Sequence, residues 1–145
     1  MVIFLHSLEH LPDPPGVPKH AASLLSSGAI LIVRMSLVSS YAWARYGVQF
    51  DALRHAFLHS RARMTCLARS ARLSIQGVGY HPTDFHFLGS ELYARDIPLT
   101  SFRADAPNPG RAIFSAEPVE ALRRHAADLN ATDRDDHAAS CLRRM

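Results

Sequence analysis

The chain carries one lysine, Lys19, and two asparagines, Asn108 and Asn130, in 145 residues. Its fifteen arginines therefore supply nearly all of the positive charge. Arginine offers a planar donor fork that suits phosphate and carboxylate. A GC-rich gene produces the same skew, because it favours Arg, Ala, Pro and Gly codons over those for Lys and Asn. Composition alone therefore does not establish an anionic partner. Cysteine is almost as scarce. Cys66 and Cys141 make neither a disulfide framework nor, by themselves, a structural zinc site. The expected compartment is a reducing one, the cytoplasm.

A complete catalytic motif is missing too. Gly77-Val78-Gly79 lacks the third glycine of a dinucleotide-binding loop, and no Ser or Cys stands at nucleophile-elbow spacing. Nor is there a long uninterrupted apolar run. Ala21 to Ala44 comes nearest, with Ile30-Leu31-Ile32-Val33 at its centre, but Arg34 sits in the middle of it. A central Arg costs about 3 kcal/mol on insertion, which roughly cancels the gain from the Leu, Ile and Val residues present. Serines then tip the segment toward a buried place in a globular domain, with membrane association through residues 21–44 as the alternative.

What remains is the composition of one soluble domain with a core of ordinary size. Residues 1–20 form a Pro-rich N-terminal segment, 21–130 a single globular domain and 131–145 a polar C-terminal tail. Val2 to Leu5 reads as a short strand or a frayed terminus, and Ala29 to Val33 as a buried strand or the middle of a buried helix. From Val48, Phe50, Leu53, Phe57, Met64 and Leu67 recur at three- and four-residue spacing. With no Gly or Pro before Gly77, this predicts one helix of about 25 residues. Asp84 to Leu88 alternates as a strand does, and Asp96 to Phe102 reads as a second, edge strand beside Pro98. Ser115 would cap a C-terminal helix with Val119, Leu122, Ala126 and Leu129 on its apolar stripe. The expected fold is a small α+β domain with one long amphipathic helix, a C-terminal helix and two or three short strands; an all-α fold is the alternative.

Three groups of residues could carry chemistry. Asp51 to Arg72 holds five arginines and one acid. On a continuous helix Arg54, Arg61 and Arg72 fall within about 20° of one another, with Arg69 about 60° further round. Such a stripe would neutralise phosphates and bind nucleic acid or another polyanion with salt-sensitive affinity. A solvated helix face accounts for the same pattern. Asp51, His55, His59 and Cys66 would share the exposed face opposite the core, and His at i and i+4 can grip a divalent metal such as zinc. The Glu that makes this pair catalytic in zinc proteases is replaced by Ala56. Asp84 and His86 would project from one strand face, where a carboxylate can orient an imidazole or share a metal.

Tyr80 to Ser90, read Tyr-His-Pro-Thr-Asp-Phe-His-Phe-Leu-Gly-Ser, resembles the Asn-Pro-x-Asp-x-Arg-Phe-Leu-Gly stretch of Holliday-junction-resolvase-like endonucleases. Those proteins also place an apolar segment and a charged helix first. The resemblance implies a nuclease, although the family's later Glu-x-Lys motif has no counterpart in a chain whose lysine is Lys19. The leading expectation is a non-enzymatic protein that binds an anionic partner, nucleic acid foremost, through Arg54, Arg61, Arg69 and Arg72. The second is a metal-dependent hydrolase or nuclease using Asp51, His55, His59, Asp84 or His86, and the third a membrane-associated protein. Oligomeric state is not readable.

Overall fold

Ile30-Leu31-Ile32-Val33 is a run of branched and bulky residues that suits a pleated, two-sided environment. It forms the start of strand β2, Ile30–Ser36. The computed structural model describes residues 1–38, 55–80, 85–97, 116–132 and 137–145. Within these, a four-stranded sheet has the order β1-β2-β4-β3, where β1 is Val2–Leu5, β3 is Leu73–Tyr80 and β4 is His137–Arg144. Strand β1 runs parallel to β2, and β4 lies antiparallel between β2 and β3. The helices are α1 (Gly16–Leu24), α2 (Arg61–Ser70), α3 (Phe85–Ala94) and α4 (Ala116–Ala131). The α+β expectation holds.

The core lies on one face of the sheet. Leu31, Val33 and Met35 of β2 stand opposite Leu142, Ser140 and Ala138 of β4. Large side chains thus meet small ones at two of three positions, which leaves room for Met64 and Ala68 of α2 and Ala21 and Ala22 of α1 to pack above them. Burying each large apolar side chain contributes about 1.5 to 3 kcal/mol. A smaller cluster joins Phe87 of α3 to Ala126 and Leu129 of α4. This agrees with the stripe read for the C-terminal helix.

Several local expectations are corrected. Among the described residues the long helix is only α2. It starts at Arg61 because the Ser60 side chain accepts from the Arg63 amide at 3.1 Å, and His55 to Ser60 are not helical. It stops before Arg72, which takes a left-handed φ of 54° without being glycine. The chain then enters β3, where register shifts between Ile75 and Gly77. That bulge at Gln76 moves the core-facing positions from Leu73 and Ile75 to Val78 and Tyr80, which hides the strand's period of two. Asp84–Leu88, expected as a strand, coincides from Phe85 onward with the first turn of α3. The strand expected from Asp96 begins instead with a left-handed Asp96 that closes α3, and residues from 98 onward lie outside the described residues. The segment read as a polar tail contains β4, an inner strand of the sheet.

Ala21 to Leu24 close α1 and Ile30 to Ser36 form β2, of which Leu31 to Arg34 pair on both sides, so this much of the apolar segment is built into the domain; residues 39–44 lie outside the described residues. No helix among the described residues is long and apolar enough to cross a membrane.

Candidate functional site

Parallel strands β1 and β2 end at Leu5 and Ser36, β3 ends at Tyr80, and β4 begins at His137 opposite Ser36. All four of these termini lie along one rim of the sheet. In open α/β sheets ligands settle outside the carboxyl ends of the strands. Here that rim collects histidines.

His6 leaves β1 with a left-handed φ of 46° while its amide still donates to the Arg34 carbonyl at 2.9 Å. The turn Leu8–His10 follows, closed by His10 donating to Ser7 and Leu11 to Leu8. Burial of Leu8 in the core carries Glu9 inward, to 2% exposure, and leaves His10 facing solvent. The His55–Ser60 segment laces across this turn. Phe57 donates its amide to the Glu9 carbonyl at 3.1 Å, and Val38 donates to the His59 carbonyl at 2.9 Å. His59 also bridges Leu37 at the end of β2.

These links gather the side chains. His6 Nδ1 stands 3.5 Å from Glu9 Oε1. The ring of His6 meets that of His137 edge-on at 4.8 Å, and the His10 and His55 rings lie 4.8 Å apart. Neither Glu9 oxygen accepts a hydrogen bond, and neither ring nitrogen of the buried His59 has a hydrogen-bond partner. Burial lowers the pKa of His6, against the pull of the Glu9 carboxylate and with help from Arg34. Burial also lowers that of His59, opposed by Glu9 and aided by Arg63. The rim therefore gathers imidazoles around one carboxylate, with burial favouring the neutral form of His6 and His59, a set able to move protons or to ligate a cation.

The residues singled out in the sequence are distributed differently. Asp51, Arg54 and Asp84 lie outside the described residues, as does the side chain of His86, which α3 places on a helix rather than a strand. His55 and His59 do not share an exposed helix face. They precede α2, with His55 beside His10 and His59 buried, whereas Cys66 is exposed within α2. Arg61 opens α2 and lies 6.0 Å from the Tyr80 ring centre, Arg69 belongs to its last turn, and Arg72 lies beyond its end. Arg61 and Arg69 line one groove of about 410 Å³ above Met64, Ala68 and Val78; Arg72 does not. Glu9, His10, His6 and His137 escaped the sequence reading. The available signal was a Glu-His pair just past a hydrophobic strand, where ligands of α/β sheets bind.

No protein-family profile and no curated protein matches the chain. Solved structures share its fold, among them two that align with nearly the whole of this chain. One is the [4+2]-cyclase SpnF, with a TM-score of 0.51 and 14% identity over 99% of this chain and 47% of that one. The other is a protein assigned as a sarcosine dimethylglycine methyltransferase from Galdieria sulphuraria, with a TM-score of 0.50 and 13% identity over 94% of this chain and 49% of that one. The chain thus spans about half the length of the proteins it is similar to. The likeness is one of fold alone, and it overturns the resemblance to Holliday-junction-resolvase-like endonucleases. That resemblance rested on eleven residues, Tyr80 to Ser90, whose start closes β3 and whose end opens α3. So short a match carries no topology.

Proposed function

We propose that the protein supplies the catalytic rim of a methyltransferase-like enzyme acting on a small molecule, with His6 taking up the proton of the acceptor. In such a transfer the methyl–sulfur bond of a sulfonium donor breaks and the bond from methyl to acceptor forms. The acceptor's proton passes to the imidazole. The observation that carries this reading is the buried Glu9 carboxylate beside His6 at the carboxyl rim. A carboxylate in that place orients an imidazole, and burial favours the neutral form that can act as a base. Similarity of fold supports the class of reaction without deciding it, since one structural neighbour is a cyclase. The proposed setting is the cytoplasm, a reading that two unpaired thiols support.

Titrating isotope-labelled protein with S-adenosylhomocysteine tests the proposal. Saturable amide shifts at Leu5 to His10 and Ser36 to Val38 are expected, and their absence would remove it.

A second reading retains the anionic partner in reduced form. Arg61 and Arg69 line the same apolar-floored groove, which favours a polyanion laid along α2. Heparin or DNA retention that falls steeply with salt, and that weakens on Arg61→Ala with Arg69→Ala, would support it. Retention that is absent or indifferent to salt would end it.

A further inference from the structure

We propose that Glu9, His10 and His55 hold one divalent first-row transition ion, of which zinc is the probe of choice. One ligand atom from each residue lies within 4.8 Å of the other two. Two tetrahedral ligands at zinc stand roughly 3.4 Å apart, so an ion would draw these three atoms inward by about 1 Å. That adjustment falls to the side chains of His10, which is exposed, and His55, which is half-buried.

Two features beyond proximity point to a cation. Glu9 is 2% exposed, yet neither of its oxygens accepts a hydrogen bond. A carboxylate withdrawn from water without such partners is costly unless a positive charge meets it. The backbone, moreover, is clamped where the ligands meet. Phe57, two residues past His55, donates its amide to the carbonyl of Glu9 itself at 3.1 Å. The turn that bears Glu9 and His10 is thereby tied to the distant segment bearing His55.

The donor set selects the ion. Two imidazoles and one carboxylate suit zinc, iron or nickel rather than magnesium or calcium, which prefer oxygen. Three protein ligands leave a coordination position for water or a substrate oxygen, as catalytic sites do and structural sites do not. His10 is exposed, so that position opens toward solvent at the rim. His6, whose Nδ1 lies 3.5 Å from Glu9 Oε1, flanks the carboxylate without hydrogen-bonding to it.

The inference names a cofactor for the rim described above and shares that location, but its test needs neither donor nor acceptor. Chelator-treated full-length protein is titrated with zinc alone by calorimetry, and with cobalt for its visible ligand-field spectrum. One equivalent is expected to bind, with a cobalt spectrum of low coordination number. Glu9→Gln, His10→Ala and His55→Ala are each expected to weaken binding by about a hundred-fold, while His20→Ala, at an exposed position of α1, leaves it unchanged. If Glu9→Gln or His55→Ala loses its circular dichroism spectrum, the exposed His10→Gln decides alone. Retained affinity in that variant, no stoichiometric binding by the parent, or equal loss in His20→Ala overturns the proposal. A negative titration leaves the transferase reading standing, because S-adenosylhomocysteine binding is measured without metal.

Discussion

His6 and His137 meet edge to face with ring centres 4.8 Å apart, although almost the whole chain separates them in sequence. The contact joins the exit of β1 to the start of β4, across β2, which lies between them. The rim is therefore assembled only when the last strand has entered the sheet.

Removal of residues 137–145 should abolish cooperative folding. Strand β3 touches β2 only through β4, so its loss divides the sheet and uncovers Leu31, Val33 and Met35. Thermal circular dichroism checks this, and a sharp transition in the truncated chain would refute the strand order. A milder variant, Leu142→Ala, should cost about 2 to 5 kcal/mol, because Leu142 is fully buried opposite Leu31.

Stability should fall on mild acidification. Burial lowers the pKa of His59 from the ordinary 6.5, with Arg63 adding to the effect and Glu9 opposing it. The unfolded chain therefore takes up a proton at this residue before the folded one does. The unfolded state binds more protons in the window just below 6.5, so stability rises with pH there and is lost as pH drops. A melting temperature several degrees lower at pH 5.5 than at pH 7.5 is expected, with a shallower slope in His59→Gln. Identical slopes would show that His59 does not titrate differently on folding.

Arg72→Gly should leave the protein as stable or raise it by about 0.5 to 1 kcal/mol. Arg72 sits at φ 54°, a conformation that glycine adopts without the Cβ penalty. Were the helix continuous to Gly77, as periodicity suggests, the same change would cost about 1 kcal/mol. The sign of the shift in a urea titration separates the two.

Ser60→Ala should cost about 1 kcal/mol by removing the cap on the Arg63 amide. Thr65→Ala, whose hydroxyl bonds back to Arg61 within the helix, should change little, which makes it the matched control in the same denaturation series.

Legibility followed how local the cause was. The branched apolar run of β2 marks a buried element without separating strand from helix, and Leu122, Ala126 and Leu129 mark α4 by helical spacing. Strand β4 does not. Its buried side chains, Ala138, Ser140 and Leu142, are mostly small or polar, and only the facing Met35 and Val33 give them a core to occupy. The bulge at Gln76 erased the period of β3, while Phe85 and Phe87 imitated strand alternation in a helix whose buried side is set by α4. At the rim, His55 and His59 were visible as a pair. Their partners Glu9 and His10 were not, since the hydrogen bond from Phe57 to Glu9 that unites them spans most of the first half of the chain.

Strand β1 pairs with β2 on one side, and among the described residues nothing pairs with its other side. Ile3 and Leu5 on that strand are 51% and 59% exposed. Bare amides beside greasy side chains form a template on which a second copy can add a strand, and no charge in Val2–Leu5 discourages it. Colloidal behaviour at high concentration is thus decided by four residues at one margin of the sheet, far in sequence from the arginines that dominate the molecule's charge.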